Sequence, residues 1–135
     1  MSIFGNIFGS NNDKEKPENP VKWRYLTDIA QLKDISADSE TRPVFIFKHS
    51  TRCSVSRMVL KQFESHYDPT IRADGYFLDL LEHREISNEI ASQYGVIHQS
   101  PQLLLIQNGK CIFTESHSDI DAADLKKKVE KGSVG

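Results

Sequence analysis

The chain has 135 residues, 38% of them hydrophobic and 27% charged, enough for one domain with a core and little more. Its formal net charge of -2 gives no electrostatic case for a nucleic-acid partner. No apolar run approaches the roughly 18 residues a membrane span needs, and two cysteines are too few for a disulfide framework. A cytoplasmic protein with free thiols is the expectation.

Residues 1–20, MSIFGNIFGSNNDKEKPENP, mix Gly, Asn, Lys, Glu and Pro without sustained periodicity. They predict a flexible N-terminal arm ahead of a domain spanning residues 21–135. Ile3, Phe4, Ile7 and Phe8 would share one face of a short helix. This N-terminus has neither a basic flank nor a long apolar stretch, and so does not read as a signal peptide.

VKWRYL (residues 21–26) alternates like a short strand. Thr27 is a plausible N-cap for a helix in which Ile29, Leu32 and Ile35 recur at helical spacing. PVFIFKH (43–49) is continuously apolar and predicts a central strand buried on both faces. A helix follows over 54–67, with Val55, Val59 and Phe63 on one face and Met58 beside them. YFLDLL (76–81) reads as a third strand, which places Asp79 either inside the strand or at its exposed end. REISNEIASQYG (84–95) reads as a helix with Ile86, Ile90, Ala91 and Tyr94 on one face and Gly95 as a left-handed cap. Two β-like runs flank Asn108-Gly109, a hairpin signal. A last helix takes Asp121 as N-cap, with Asp124 three residues on. The run Lys126-Lys127-Lys128 near its end complements the helix dipole. The order β-α-β-α-β-α-β-β-α predicts an α/β fold built on a mixed parallel/antiparallel sheet flanked by helices, with parallel strands through the alternating part and an antiparallel pair in the final hairpin.

In such folds ligand sites form beyond the carboxyl ends of the strands, and Cys53 lies between one such end and the next helix. Helix N-termini expose unpaired N–H groups and the positive end of the dipole, which favour a thiolate. Arg52 and Arg57 add positive charge nearby. The competing reading is a small core residue, but Ser50, Thr51, Arg52, Ser54 and Ser56 are all polar neighbours. Ser56 occupies the position a second thiol would take in a dithiol site; it can donate a hydrogen bond to a thiolate but cannot resolve a disulfide. Cys111, inside the run after Asn108-Gly109, reads as a structural strand residue. Pro101 opens a strand, where a missing N–H is tolerated, and the Ser100-Pro101 bond is a candidate cis bond. His49 and His98 bracket the two loops and titrate near neutrality. No His, Cys or acidic spacing resembles a zinc site.

A thiol at a strand-to-helix junction, a proline opening the next-but-one strand and this element order together resemble the thioredoxin fold. FKHSTRCSVSRM, LDLLEHREISNEIASQYGVIHQSPQ and ESH (115–117) narrow the resemblance to the bacillithiol-system monothiol bacilliredoxin family (YtxJ-like proteins), over residues 21–131 or so. The family's core motif reads T-C-P-I-S; this chain has Arg52-Cys53-Ser54-Val55-Ser56. His117 matches a family position.

The resemblance implies Cys53 as nucleophile, with Thr51, Arg52, Ser54, Ser56, His98, Ser100 and Pro101 supporting the thiolate or holding substrate. It implies no bound cofactor, a low-molecular-weight thiol such as bacillithiol as co-substrate, and S-thiolated proteins as clients. A glutaredoxin-like enzyme using another thiol, a peroxide-sensing cysteine, and a peptide-binding module with an incidental Cys53 are the alternatives.

Overall fold

The computed structural model describes residues 19–134. The predicted arm, with Ile3, Phe4, Ile7 and Phe8, falls almost wholly outside the described residues. The elements are β1 (Arg24–Tyr25), α1 (Gln31–Asp38), β2 (Val44–His49), α2 (Ser54–His66), β3 (Asp74–Asp79), α3 (Arg84–Tyr94), β4 (Gln102–Gln107), β5 (Lys110–Ser116), a 3-10 turn (His117–Asp119) and α4 (Ala122–Val134). Sheet order is β1-β3-β2-β4-β5. Among the described residues no helix is long and apolar enough to cross a membrane.

Strand β2 is buried along its whole length, as its unbroken apolar run predicts. Its alternate residues feed two cores. Phe45 and Phe47 face Val59 and Phe63 of α2 and Leu125 and Val129 of α4. Val44 and Ile46 face Leu32 and Ile35 of α1 and Ile86 and Ile90 of α3. β1 and β2 both flank β3 in parallel, but β4 runs antiparallel to β2, as β5 does to β4. The parallel direction expected through the alternating part therefore holds as far as β3 and fails at β4. Residues 95–101 connect α3 to β4 and, extended, reach roughly 23 Å, longer than a six-residue strand. Such a connection can enter the sheet from either end.

Three local expectations need correction. Helix α1 begins at Gln31, not after Thr27: Gln31 Oε1 accepts the N–H groups of Thr27 and Asp28 at 2.8 and 2.9 Å, and Asp28 Oδ1 accepts that of Ala30. Ile29 falls ahead of the helix and is 46% exposed. On α2, Val55 and Met58 point outward at 41% and 54% exposure, and Ser56 joins Val59 and Phe63 on the buried face.

Gly95 takes the left-handed cap at φ 66°, and Asn108 and Gly109 both have positive φ, as a tight two-residue hairpin requires. Ser39 at the end of α1 anchors that hairpin: its carbonyl accepts the Asn108 N–H and its Oγ the Gly109 N–H. Asp121 caps α4 by accepting the Ala123 N–H at 2.8 Å, and Glu115 accepts the Asp121 N–H at 3.0 Å. Burial, and a hydrogen bond that the protonated Glu115 carboxyl donates to Asp124, push Glu115 up to about 8.

On β3, Gly75 pairs with Phe45. A Cβ at residue 75 would lie 2.5 Å from Phe45 Cζ, inside a fully buried ring that has no room to yield. Gly75→Ala is expected to destabilise the fold by about 1–3 kcal/mol, read as a lowered urea midpoint with unchanged slope.

Candidate active site

The site begins where β2 ends. The loop 50–53 turns the chain into α2, and the Cys53 N–H donates to the Ser50 carbonyl at 3.2 Å. Cys53 is the N-cap of α2, in extended conformation, and is partly exposed. The first intrahelical bond runs from the Arg57 N–H to the Cys53 carbonyl. The N–H groups of Ser54, Val55 and Ser56 lie ahead of it, at the positive end of the helix, where a sulfur anion is stabilised.

The loop is locked from inside. Ser56, fully buried, accepts the Ser50 N–H at 3.1 Å and meets His49 Nδ1 at 2.8 Å. Through these two contacts its hydroxyl braces the loop. His49 is 4% exposed and rests against the Phe77 ring. Burial lowers its pKa, so its imidazole is neutral near pH 7. Arg57 Nη1 donates to the Thr51 carbonyl at 2.9 Å, tying the outer side of the loop. Thr51, Arg52 and Ser54 are exposed around the sulfur.

The second loop arrives from α3. Lys48 pairs with Gln102, so the residues before Gln102 leave the sheet at the same end as the residues after Lys48. The Ser100-Pro101 peptide bond is cis. Pro101 is buried, and its carbonyl accepts the His117 N–H at 2.9 Å. His117 holds φ at 57°, a left-handed conformation that ends β5 and closes the turn behind Pro101. Ser100 Oγ is buried without a hydrogen-bond partner among the described residues. His98 is exposed, but its Nδ1 faces Lys48 Nζ at 3.3 Å and Ser87 Oγ at 3.2 Å. Lys48 and Gln102, buried polar residues beneath this loop, are further members of the candidate site that no local sequence signal marks.

Of two other candidates, Asp79 lies at the Cys53 end of the sheet, in register with His49, and Cys111 lies at the other end. Asp79 ends β3, and its Oδ1 accepts the Leu81 N–H at 3.1 Å, so it is a turn residue. Cys111 pairs with Ile106, which itself pairs with Val44 across β4. Cys111 therefore sits at the opposite end of the sheet from Cys53, roughly 17 Å or more away along the strands, far beyond disulfide reach. Burial raises its pKa, and its thiol points to the Phe113 carbonyl. Among the described residues no three His, Cys, Asp or Glu side chains are grouped to hold a metal ion.

One partly exposed thiol at a helix head, faced by a cis-proline loop, is a redox-site geometry, and residues 24–125 match the family described as Monothiol bacilliredoxin BrxC. The chain belongs to the monothiol bacilliredoxin family. The match spans every element from β1 to the start of α4, so the Cys53 loop and the loop before Pro101 both lie inside it.

Solved structures agree on the fold. One chain, described as an oxidoreductase-type protein with a thioredoxin fold, is 30% identical with a TM-score of 0.69, over 80% of this chain and 93% of that one. A thioredoxin from Malassezia sympodialis is 22% identical with a TM-score of 0.65, over 87% and 95%. A mutant thioredoxin from Halobacterium salinarum NRC-1 is 22% identical with a TM-score of 0.62, over 86% and 95%. The fold is the thioredoxin fold, and family and fold together support a thiol–disulfide oxidoreductase.

Proposed function

We propose that this bacilliredoxin removes a low-molecular-weight thiol, bacillithiol, from mixed disulfides on client proteins, using Cys53 alone. The observation that carries the reading is the single thiol at the head of α2, with Ser56 buried three residues on and Cys111 at the far end of the sheet. A lone nucleophile of this kind needs its second thiol from solution.

The cycle balances in two exchanges. The Cys53 thiolate attacks the bacillithiol sulfur of a protein–S–S–bacillithiol disulfide; the Cys53–bacillithiol bond forms and the client leaves as its thiolate. A second bacillithiol thiolate then attacks that adduct, releasing bacillithiol disulfide and the Cys53 thiolate. The helix N-terminus stabilises Cys53 as attacker in the first step and as leaving group in the second. Thr51, Arg52 and Ser54 line the exposed side of the sulfur, where the thiol's polar body would lie. The backbone of Ser100 offers an edge on which an extended client segment can pair. Ser56 acts indirectly, by fixing the loop that aims the sulfur. The cytoplasm is the compartment in which this reaction is useful.

Mixing reduced protein with bacillithiol disulfide, and separately with glutathione disulfide, tests the reading by intact mass and peptide mapping. A rapid adduct on Cys53 from bacillithiol, and a much slower one from glutathione, is expected. Equal slow modification of Cys53 and Cys111 would leave a peptide-binding module as the better account; equal rapid adducts from both disulfides would point to a glutaredoxin-like enzyme.

A further inference from the structure

The loop before Pro101 is held from beneath by two buried polar side chains. Gln102, 2% exposed, donates from Nε2 to the Ile97 carbonyl at 3.0 Å and accepts the Gln99 N–H at 3.4 Å. Lys48, fully buried, reaches the Ser87 carbonyl at 3.4 Å and His98 Nδ1 at 3.3 Å. No salt bridge among the described residues involves Lys48. Burying an ammonium with no carboxylate partner is costly, and a strand of apolar residues would fold more easily with a methionine in its place.

The contact dictates where the imidazole proton sits. An ammonium has only donors. His98 Nδ1 is therefore the acceptor, and the ring proton resides on Nε2. The Ser87 Oγ, which can donate or accept, lies 3.2 Å from the same nitrogen. Nδ1 faces inward, which leaves Nε2 as the solvent-side nitrogen of an exposed residue. Burial, Lys48 and Arg84 all lower the His98 pKa, so the ring is neutral near pH 7. Burial lowers Lys48 to about 8, which keeps it an ammonium there.

We propose that Lys48 is a positioning residue: it fixes His98 as the Nε2–H tautomer, so that the loop before Pro101 presents one neutral N–H donor to an acceptor oxygen of the thiol in the mixed disulfide. The inference rests on the exchange reaction proposed above. It assigns to a buried lysine on β2 the aim of a donor on the opposite loop, and it gives that buried ammonium a role.

The test uses the whole protein with 15N-labelled histidine. Two-bond 1H–15N spectra at pH 7, recorded with no thiol present, are expected to show His98 as the Nε2–H tautomer. In Lys48→Met the spectrum should move to a mixture of tautomers, with bacillithiol transfer to Cys53 about 5-fold slower, the size of one lost neutral hydrogen bond. Two further variants separate aim from packing. His98→Gln sets an amide N–H near the Nε2 position and should stay within about 2-fold, whereas His98→Asn sets it near Nδ1 and should lose about 5-fold. A wild-type His98 protonated on Nδ1, a Lys48→Met protein with unchanged tautomer and rate, or equal rates for the Gln and Asn variants would overturn the proposal. Because the spectrum needs no substrate, it separates this inference from the exchange reaction: a protein with the Nε2–H tautomer whose Cys53 takes no thiol would refute only the latter.

Discussion

Cys53→Ser is expected to abolish thiol exchange, lowering the rate of bacillithiol transfer by at least about 1,000-fold. A serine hydroxyl at the same N-cap position is not ionised near neutral pH and cannot form a disulfide. Ser is also a favoured N-cap, so α2 should start as well or better with it, and the unfolding midpoint should not fall. Cys111→Ser, in contrast, should leave transfer unchanged, because that thiol is half-buried at the other end of the sheet and bonded to the Phe113 carbonyl. The pair of variants, assayed by intact mass against bacillithiol disulfide, isolates one sulfur from the other. Residual transfer in Cys53→Ser, lost only when Cys111 is also replaced, would move the nucleophile to Cys111.

The largest stability effect is expected at Phe63. It is 2% exposed and packs its ring against Trp23, Phe45, Phe47 and Tyr67 at centroid distances of 5.4–6.1 Å. With Val59 it fastens α2 to β2, nearly three turns along from the Cys53 loop. Phe63→Ala leaves a cavity at the meeting point of these rings and should cost about 3–5 kcal/mol, read from urea unfolding. A fall below 1 kcal/mol would mean that the aromatic cluster collapses to fill the space, and that α2 is held chiefly by its other contacts.

Much of this was legible in the residues, for identifiable reasons. The apolar run of β2 has no alternation, and only burial on both faces tolerates that. Asn108-Gly109 and Gly95 stand where positive φ is required, and each has it. The place of Cys53, partly exposed at the head of α2, was legible because polar residues surround it at a strand-to-helix junction. The face of α2 was misread because its inward first-turn residue is a serine: the buried set is Ser56, Val59 and Phe63, and hydrophobicity alone selects Val55 instead. Thr27 looked like a cap, but the Gln31 side chain does that work from inside the helix, an arrangement with no short sequence signature. Lys48 was invisible for a related cause. A lysine at a strand end ordinarily reaches solvent, and nothing local says that its ammonium stays inside to meet a loop fifty residues on. The antiparallel entry of β4 depends on the path of residues 95–101, which tertiary packing sets.

The most direct test of the central claim is a single-turnover transfer. A client protein carrying bacillithiol on one cysteine is mixed with an equal amount of reduced protein, and both intact masses are followed over time. The account predicts that the client loses one bacillithiol at the rate Cys53 gains one, and that added bacillithiol then strips Cys53. A client that keeps its adduct while Cys53 stays unmodified, or a covalent client–protein disulfide that accumulates instead, would contradict it.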